Sequence, residues 1–154
     1  MTTLADFLAH EVTLLRNFVT TLSDEQDALR TGAVEHLPSL TEQKTALLPQ
    51  LAAASQARED YLRALGLASE QGGLQHWLAQ HPEDEASVRH WQTLLALAEQ
   101  ARDLNALNGK LIDIRMQANT RALETLTQHH PQAGLYSAKG ETAGFSGYRL
   151  IDSA

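Results

Sequence analysis

Residues 83–128 form a long stretch in which apolar side chains recur at steps of three and four residues. The stretch opens within His81-Pro82-Glu83-Asp84-Glu85. This sequence is typical of a helix start, because proline is tolerated in a first turn and carboxylates there interact favourably with the helix dipole. No proline follows before Pro131. The pattern predicts one helix over 83–128, roughly 70 Å long at about 1.5 Å per residue. A helix of that length needs partners along its apolar side, and this need constrains the rest of the fold.

Two shorter helices are predicted upstream, over about 3–30 and 35–65. Thr3 and Asp6 resemble a capping box at the start of the first helix. Gly32 ends that helix, because glycine takes the left-handed position after a helix without strain. Gly72-Gly73 breaks the following connector, after which 73–80 can form one short helix. Together these segments predict an all-α fold: an elongated, antiparallel, coiled-coil-like three-helix bundle over 1–130 with a long C-terminal helix.

The last residues have a different character. Residues 131–154 contain four of the nine glycines and show no helical periodicity. We expect an irregular, flexible C-terminal tail, which nevertheless carries large apolar side chains such as Leu135 and Tyr136.

Charge and composition exclude several classes of function. A net charge of −7 and a pI near 5.4 argue against binding to nucleic acids and to anionic membrane surfaces, both of which require a cationic surface. No apolar run approaches the roughly 20 residues that span a bilayer. The amino terminus lacks the basic region of a secretory signal, and the chain has no cysteine. We therefore expect a cytoplasmic protein.

The sequence contains no recognisable catalytic motif. No glutamate has a histidine three residues later, as di-iron bundles require, and the seven histidines are scattered. The glycine-rich stretch 140–147 lacks the Gly-Lys-Ser/Thr ending of a phosphate-binding loop. We expect no enzyme activity, no cofactor and no metal site.

The remaining candidate for function is a protein-binding surface on the long helix. Two helices of about 28 residues cannot cover a third of about 45 along its whole length, so part of its apolar stripe is expected to be exposed and to bind a foreign amphipathic helix. The alternative is an oligomeric scaffolding protein, with a homodimer as its simplest form, whose stripe is buried by self-association.

The third helix also carries a motif. Residues 102–112 read Arg-Asp-Leu-Asn-Ala-Leu-Asn-Gly-Lys-Leu-Ile, which resembles the Asn-x-x-Asn-Gly-x-Leu-Ile signature of the FlgN-type flagellar export chaperones. Ala122-Leu123-Glu124-Thr125-Leu126 and then Leu135-Tyr136 are similar to the family's Ala-Leu-x-x-Leu and Leu-Tyr-Gly. Residues 137–139 depart from the family's continuation, as they read Ser-Ala-Lys.

The resemblance implies a chaperone for hook-associated proteins, which join hook to filament, and delivery to the cytosolic domain of the type III export gate. It implies cargo binding by the C-terminal part of the long helix and gate docking by Tyr136. The predicted cargo-binding residues are Leu104, Leu107, Asn108, Leu111, Ile112, Ala122, Leu123 and Leu126.

Overall fold

The computed structural model describes residues 1–67 and 72–129. Within these ranges the chain forms four α-helices and no strand: α1 (Leu4–Thr31), α2 (Leu37–Ala64), α3 (Gly73–Gln80) and α4 (Glu85–His129), with a short 3₁₀ turn at Val34–His36. The all-α prediction is confirmed. The observed ends lie within a few residues of the predicted ones, and the short helix predicted over 73–80 is present. The predicted tail, 131–154, lies outside the described residues.

The ends of α1 follow local chemistry. The backbone N–H of Thr3 donates to Asp6 Oδ2 at 2.8 Å, and the backbone N–H of Asp6 donates to Thr3 Oγ1 at 3.3 Å. This capping box satisfies otherwise unpaired amides, and its hydrogen bonds from the Thr3 backbone and side chain lower the pKa of Asp6. At the other end Gly32 adopts a left-handed conformation with φ 80°. Both features were predicted from the sequence.

The chain divides into two compact units, Met1–Asn108 and Gly109–Ala154, and α4 contributes to both. In the first unit α1 and α2 run antiparallel. Two ion pairs show this direction: Glu11 near the start of α1 contacts Arg58 near the end of α2, and Glu25 near the end of α1 contacts Lys44 in the first half of α2.

The part of α4 within the first unit runs parallel to α1. Leu94 shares a buried cluster with Leu8. Further along both helices, by 14 residues in each, Asn108 donates to the carbonyl of Leu22. The first unit is therefore an up-down-up arrangement in which α3 lies in the connection from α2 back to the start of α4.

The core of the first unit consists of two clusters. One lies at the end of the bundle where α3 packs, and its buried members are Leu4, Leu8, Val12, Leu62, Leu74, Leu78 and Leu94. The other lies further along α1 and α4, and its buried members are Phe18, Val19, Leu22 and Ala101. Helix α1 contributes to both clusters because its apolar positions recur at three- and four-residue steps along its full length.

Among the described helices none combines the length and the apolar character needed to cross a membrane.

Candidate protein-binding surface

The segment 109–128 of α4, in the second unit, has no buried side chain. Its large apolar side chains include four that are well exposed: Ile114 at 62%, Leu126 at 59%, Leu123 at 46% and Met116 at 42%. Single exposed apolar residues are normal in folded proteins, whereas several on one element mark a surface that binds something.

Helical geometry places these side chains on one side of the segment. At about 100° per residue, the apolar residues of 109–128 occupy an arc of roughly 200° around the helix. We call this surface the apolar arc; its members are Leu111, Ile112, Ile114, Met116, Ala118, Ala122, Leu123 and Leu126. The opposite side carries polar residues, namely Asp113, Gln117, Thr120 and Glu124. The segment is thus amphipathic, and its apolar arc is wider than the stripe of about 100° with which a helix faces a core.

Five of the predicted cargo-binding residues lie on the apolar arc. Leu111 and Ile112 are half-buried, and Ala122, Leu123 and Leu126 are exposed.

Two further predicted residues lie in the first unit. Leu104 is half-buried against the second core cluster. Leu107 is 44% exposed. Tyr136, predicted to dock on the export gate, lies outside the described residues.

Asn108 has a different environment from the other predicted residues, since its exposed fraction is 1%. Its Nδ2 donates to the carbonyl oxygen of Leu22 at 2.8 Å and to Glu25 Oε1 at 3.0 Å. Lys44 Nζ donates to both carboxylate oxygens of Glu25, at 3.1 and 3.2 Å. The Nδ2 group of Asn108 is therefore engaged inside the first unit, whereas its Oδ1 is buried without a hydrogen-bond partner in the described residues. Asn108 is not part of the exposed surface.

The predicted set omitted three exposed members of the apolar arc, namely Ile114, Met116 and Ala118. Ile114 stands three residues after Leu111 and four before Ala118, so the spacing of the stripe was a sufficient signal for it. Met116 stands four residues after Ile112, in a second apolar row beside the first.

The described residues contain no group of three or more histidine, aspartate or glutamate side chains that could hold a metal ion. In the described ranges three side-chain atoms are buried without a hydrogen-bond partner: Ser87 Oγ, Trp91 Nε1 and Asn108 Oδ1.

A helical bundle with an exposed, wide apolar arc on its last helix is typical of proteins that act by binding other proteins. Residues 1–144 match the family model described as FlgN protein. With this match over most of its length, the chain belongs to the FlgN family, and the resemblance found in the sequence is confirmed.

Individual relatives agree with the family match. The chain is 31% identical over 145 residues to flagella synthesis protein FlgN of Salmonella typhimurium, which covers 93% of this chain and 92% of that protein. It is 30% identical over 148 residues to the protein of the same name from Escherichia coli K12, with 93% and 92% covered. A crystal structure described as a flagella synthesis protein FlgN of Pseudomonas aeruginosa has a TM-score of 0.62 at 24% identity, covering 82% of this chain and 98% of that one. That structure supports the fold.

Proposed function

We propose that this chain is a cytoplasmic, non-enzymatic export chaperone. It binds amphipathic terminal segments of flagellar hook-associated proteins and delivers them to the cytosolic domain of the type III export gate. The observation that carries the proposal is the exposure of the apolar arc on residues 109–128. Membership of the FlgN family supports the flagellar context.

The apolar arc supplies the binding free energy in this proposal. Fully burying a leucine or isoleucine side chain contributes about 1.5–3 kcal/mol. Burial of Ile114, Leu123 and Leu126 against a cargo helix therefore offsets part of the cost of association and of ordering the cargo segment. A cargo segment held in this way hides its own apolar face, which prevents premature assembly or aggregation.

Replacing an exposed member of the arc with a charge tests this surface. We expect Ile114→Asp and Leu126→Asp each to weaken capture of hook-associated proteins at least about tenfold, because a carboxylate would have to be desolvated in the interface. Both side chains are exposed, so the fold should survive, and circular dichroism should show unchanged helix content. The measurement is co-purification followed by titration calorimetry.

Gln100→Asp is the matched control, since it adds the same charge at an exposed position of the same helix outside the segment. Its cargo affinity should stay within about twofold of the parent, as expected for a surface change outside the interface. If Gln100→Asp weakened binding as much as Ile114→Asp, the assignment of the binding surface would be wrong.

The docking step is assigned to Tyr136. A tyrosine can fill an apolar pocket with its ring and supply a hydroxyl hydrogen bond, as anchoring residues at interfaces do. We expect Tyr136→Ala to leave cargo binding intact and to weaken binding to the isolated cytosolic domain of the gate, whereas Tyr136→Phe should retain part of that binding. Equal loss of cargo and gate binding in Tyr136→Ala would contradict this division of roles.

A further inference from the structure

The charges of 109–128 are segregated around the apolar arc. This segment contains three cations, Lys110, Arg115 and Arg121, and two carboxylates, Asp113 and Glu124. At about 100° per residue, Lys110 and Arg121 lie within roughly 40° of Ile114, at one edge of the apolar arc. Arg115 lies inside the arc and is half-buried.

Both carboxylates lie further from the arc than Lys110 and Arg121, each about 60° around the helix from the cation three residues before it. Asp113 and Glu124 project from the middle of the polar side, away from the arc. The segment is thus net cationic in a chain whose net charge is −7, and Lys110 and Arg121 lie closer to the arc than either carboxylate does.

The two cations at the edge are available to such a partner. Lys110 and Arg121 are exposed, and within the described part of the chain neither forms an ion pair with a carboxylate. Asp113 follows Lys110 by three residues and Glu124 follows Arg121 by three, yet neither pair is closed.

We propose that the occupant of the apolar arc is an amphipathic helix whose apolar face is bordered by carboxylates. This inference rests on the proposed function and adds the charge of the cargo segment to it. Charges beside the apolar seam of packed helices select the partner, because opposite charges across the seam attract and like charges repel.

The same charges disfavour two other occupants. A second copy of this chain, packed arc to arc, would bring cationic edges close to one another with no carboxylate at the seam. An anionic membrane surface would attract the segment only weakly, because the segment carries a net charge of +1 and the rest of the chain is strongly acidic.

The test uses the full chain and three synthetic amphipathic peptides with one shared apolar face. Their flanking positions carry glutamate, glutamine or lysine. We expect the glutamate-bordered peptide to bind about tenfold more tightly than the lysine-bordered one in low salt, the size expected from a few exposed ion pairs. High salt should reduce this ratio toward one, because it screens exposed charges.

Charge reversal supplies the control. Lys110→Glu combined with Arg121→Glu should invert the order of the glutamate and lysine peptides. Arg89→Glu combined with Arg102→Glu changes the net charge by the same amount at exposed positions outside the segment, and it should preserve the order.

The outcomes separate this inference from the proposed function. Equal binding of all three peptides, or preference for the lysine-bordered one, would overturn the inference and leave the chaperone proposal standing. Binding of none of the peptides would contradict both. Recruitment to phosphatidylcholine vesicles containing phosphatidylserine in place of peptide binding would also contradict both and would identify the arc as a membrane-binding surface.

Discussion

At the scale of single residues, the most consequential feature is the buried polar group formed by Glu25, Lys44 and Asn108. The side chains of Glu25 and Lys44 are 1% and 4% exposed. Burying charges is costly unless they are paired and hydrogen-bonded, and such a group favours one register over alternatives more than it adds stability. Here it joins α1, α2 and α4 at one level, and we expect it to disfavour bundles in which one helix has slipped by a turn.

Removing the carboxylate of this buried group should destabilise the protein far more than removing an exposed carboxylate. We expect Glu25→Ala to lower the free energy of unfolding by about 3–5 kcal/mol, because it removes the carboxylate that pairs with the buried Lys44 ammonium. Glu42→Ala, at an exposed position of α2, should change it by no more than about 0.5 kcal/mol. Urea unfolding followed by circular dichroism measures both, and a Glu25→Ala loss below about 1 kcal/mol would contradict the account.

The sequence identified Asn108 as distinctive through the motif around Asn-Gly, but it did not reveal the direction in which the amide points. Periodicity places Asn108 between Leu104 and Leu111 on the apolar stripe, where it could contact either a binding partner or the other helices of the bundle. The deciding contacts are to Leu22 and Glu25, which are more than 80 residues away in sequence. Only tertiary structure brings these groups together.

At the scale of elements, α4 is one helix of 45 residues with Gly109 inside it. The sequence suggested that this glycine permits either a close approach of another helix or a bend. A Cβ added at Gly109 would meet no atom within 4 Å. The glycine therefore carries a cost in helix propensity that no contact in the described residues explains.

Gly109→Ala should accordingly stabilise α4 locally by up to about 1 kcal/mol, the propensity difference between the two residues. Hydrogen exchange at the amides of 105–113 would report this as slower exchange. Ala106→Gly, at an exposed position one turn earlier, is the reciprocal control and should accelerate exchange. Faster exchange in Gly109→Ala would mean that an unrecognised neighbour occupies the space beside the glycine.

At the scale of the whole molecule, the helix lengths agree with the expectation that two shorter helices cannot cover the long one along its whole length. Helices α1 and α2 have 28 residues each and α4 has 45. The apolar arc can be covered by a foreign segment or by a second copy of the chain, and these two occupants define the chaperone and the scaffold alternatives. The cationic edge of the arc favours the foreign segment.

Sedimentation velocity distinguishes these alternatives without cargo. We expect a monomer whose sedimentation coefficient is unchanged across micromolar concentrations, because arc-to-arc packing places like charges together. A dimer that resists dilution and is abolished by Ile114→Asp would support self-association. Gln100→Asp provides the control here as well, since it alters the charge at an exposed position outside the arc.

Periodicity, capping residues and a local motif were enough to predict the helices, their ends, the amphipathic character of the long helix and the family. Tertiary structure decided which positions of the stripe are used internally: Asn108 is buried, Leu104 packs against the core, and Ile114, Leu123 and Leu126 remain exposed. The physical reason is that an apolar stripe has the same spacing whether its neighbour is part of the same chain or foreign, and only contacts between residues distant in sequence distinguish the two.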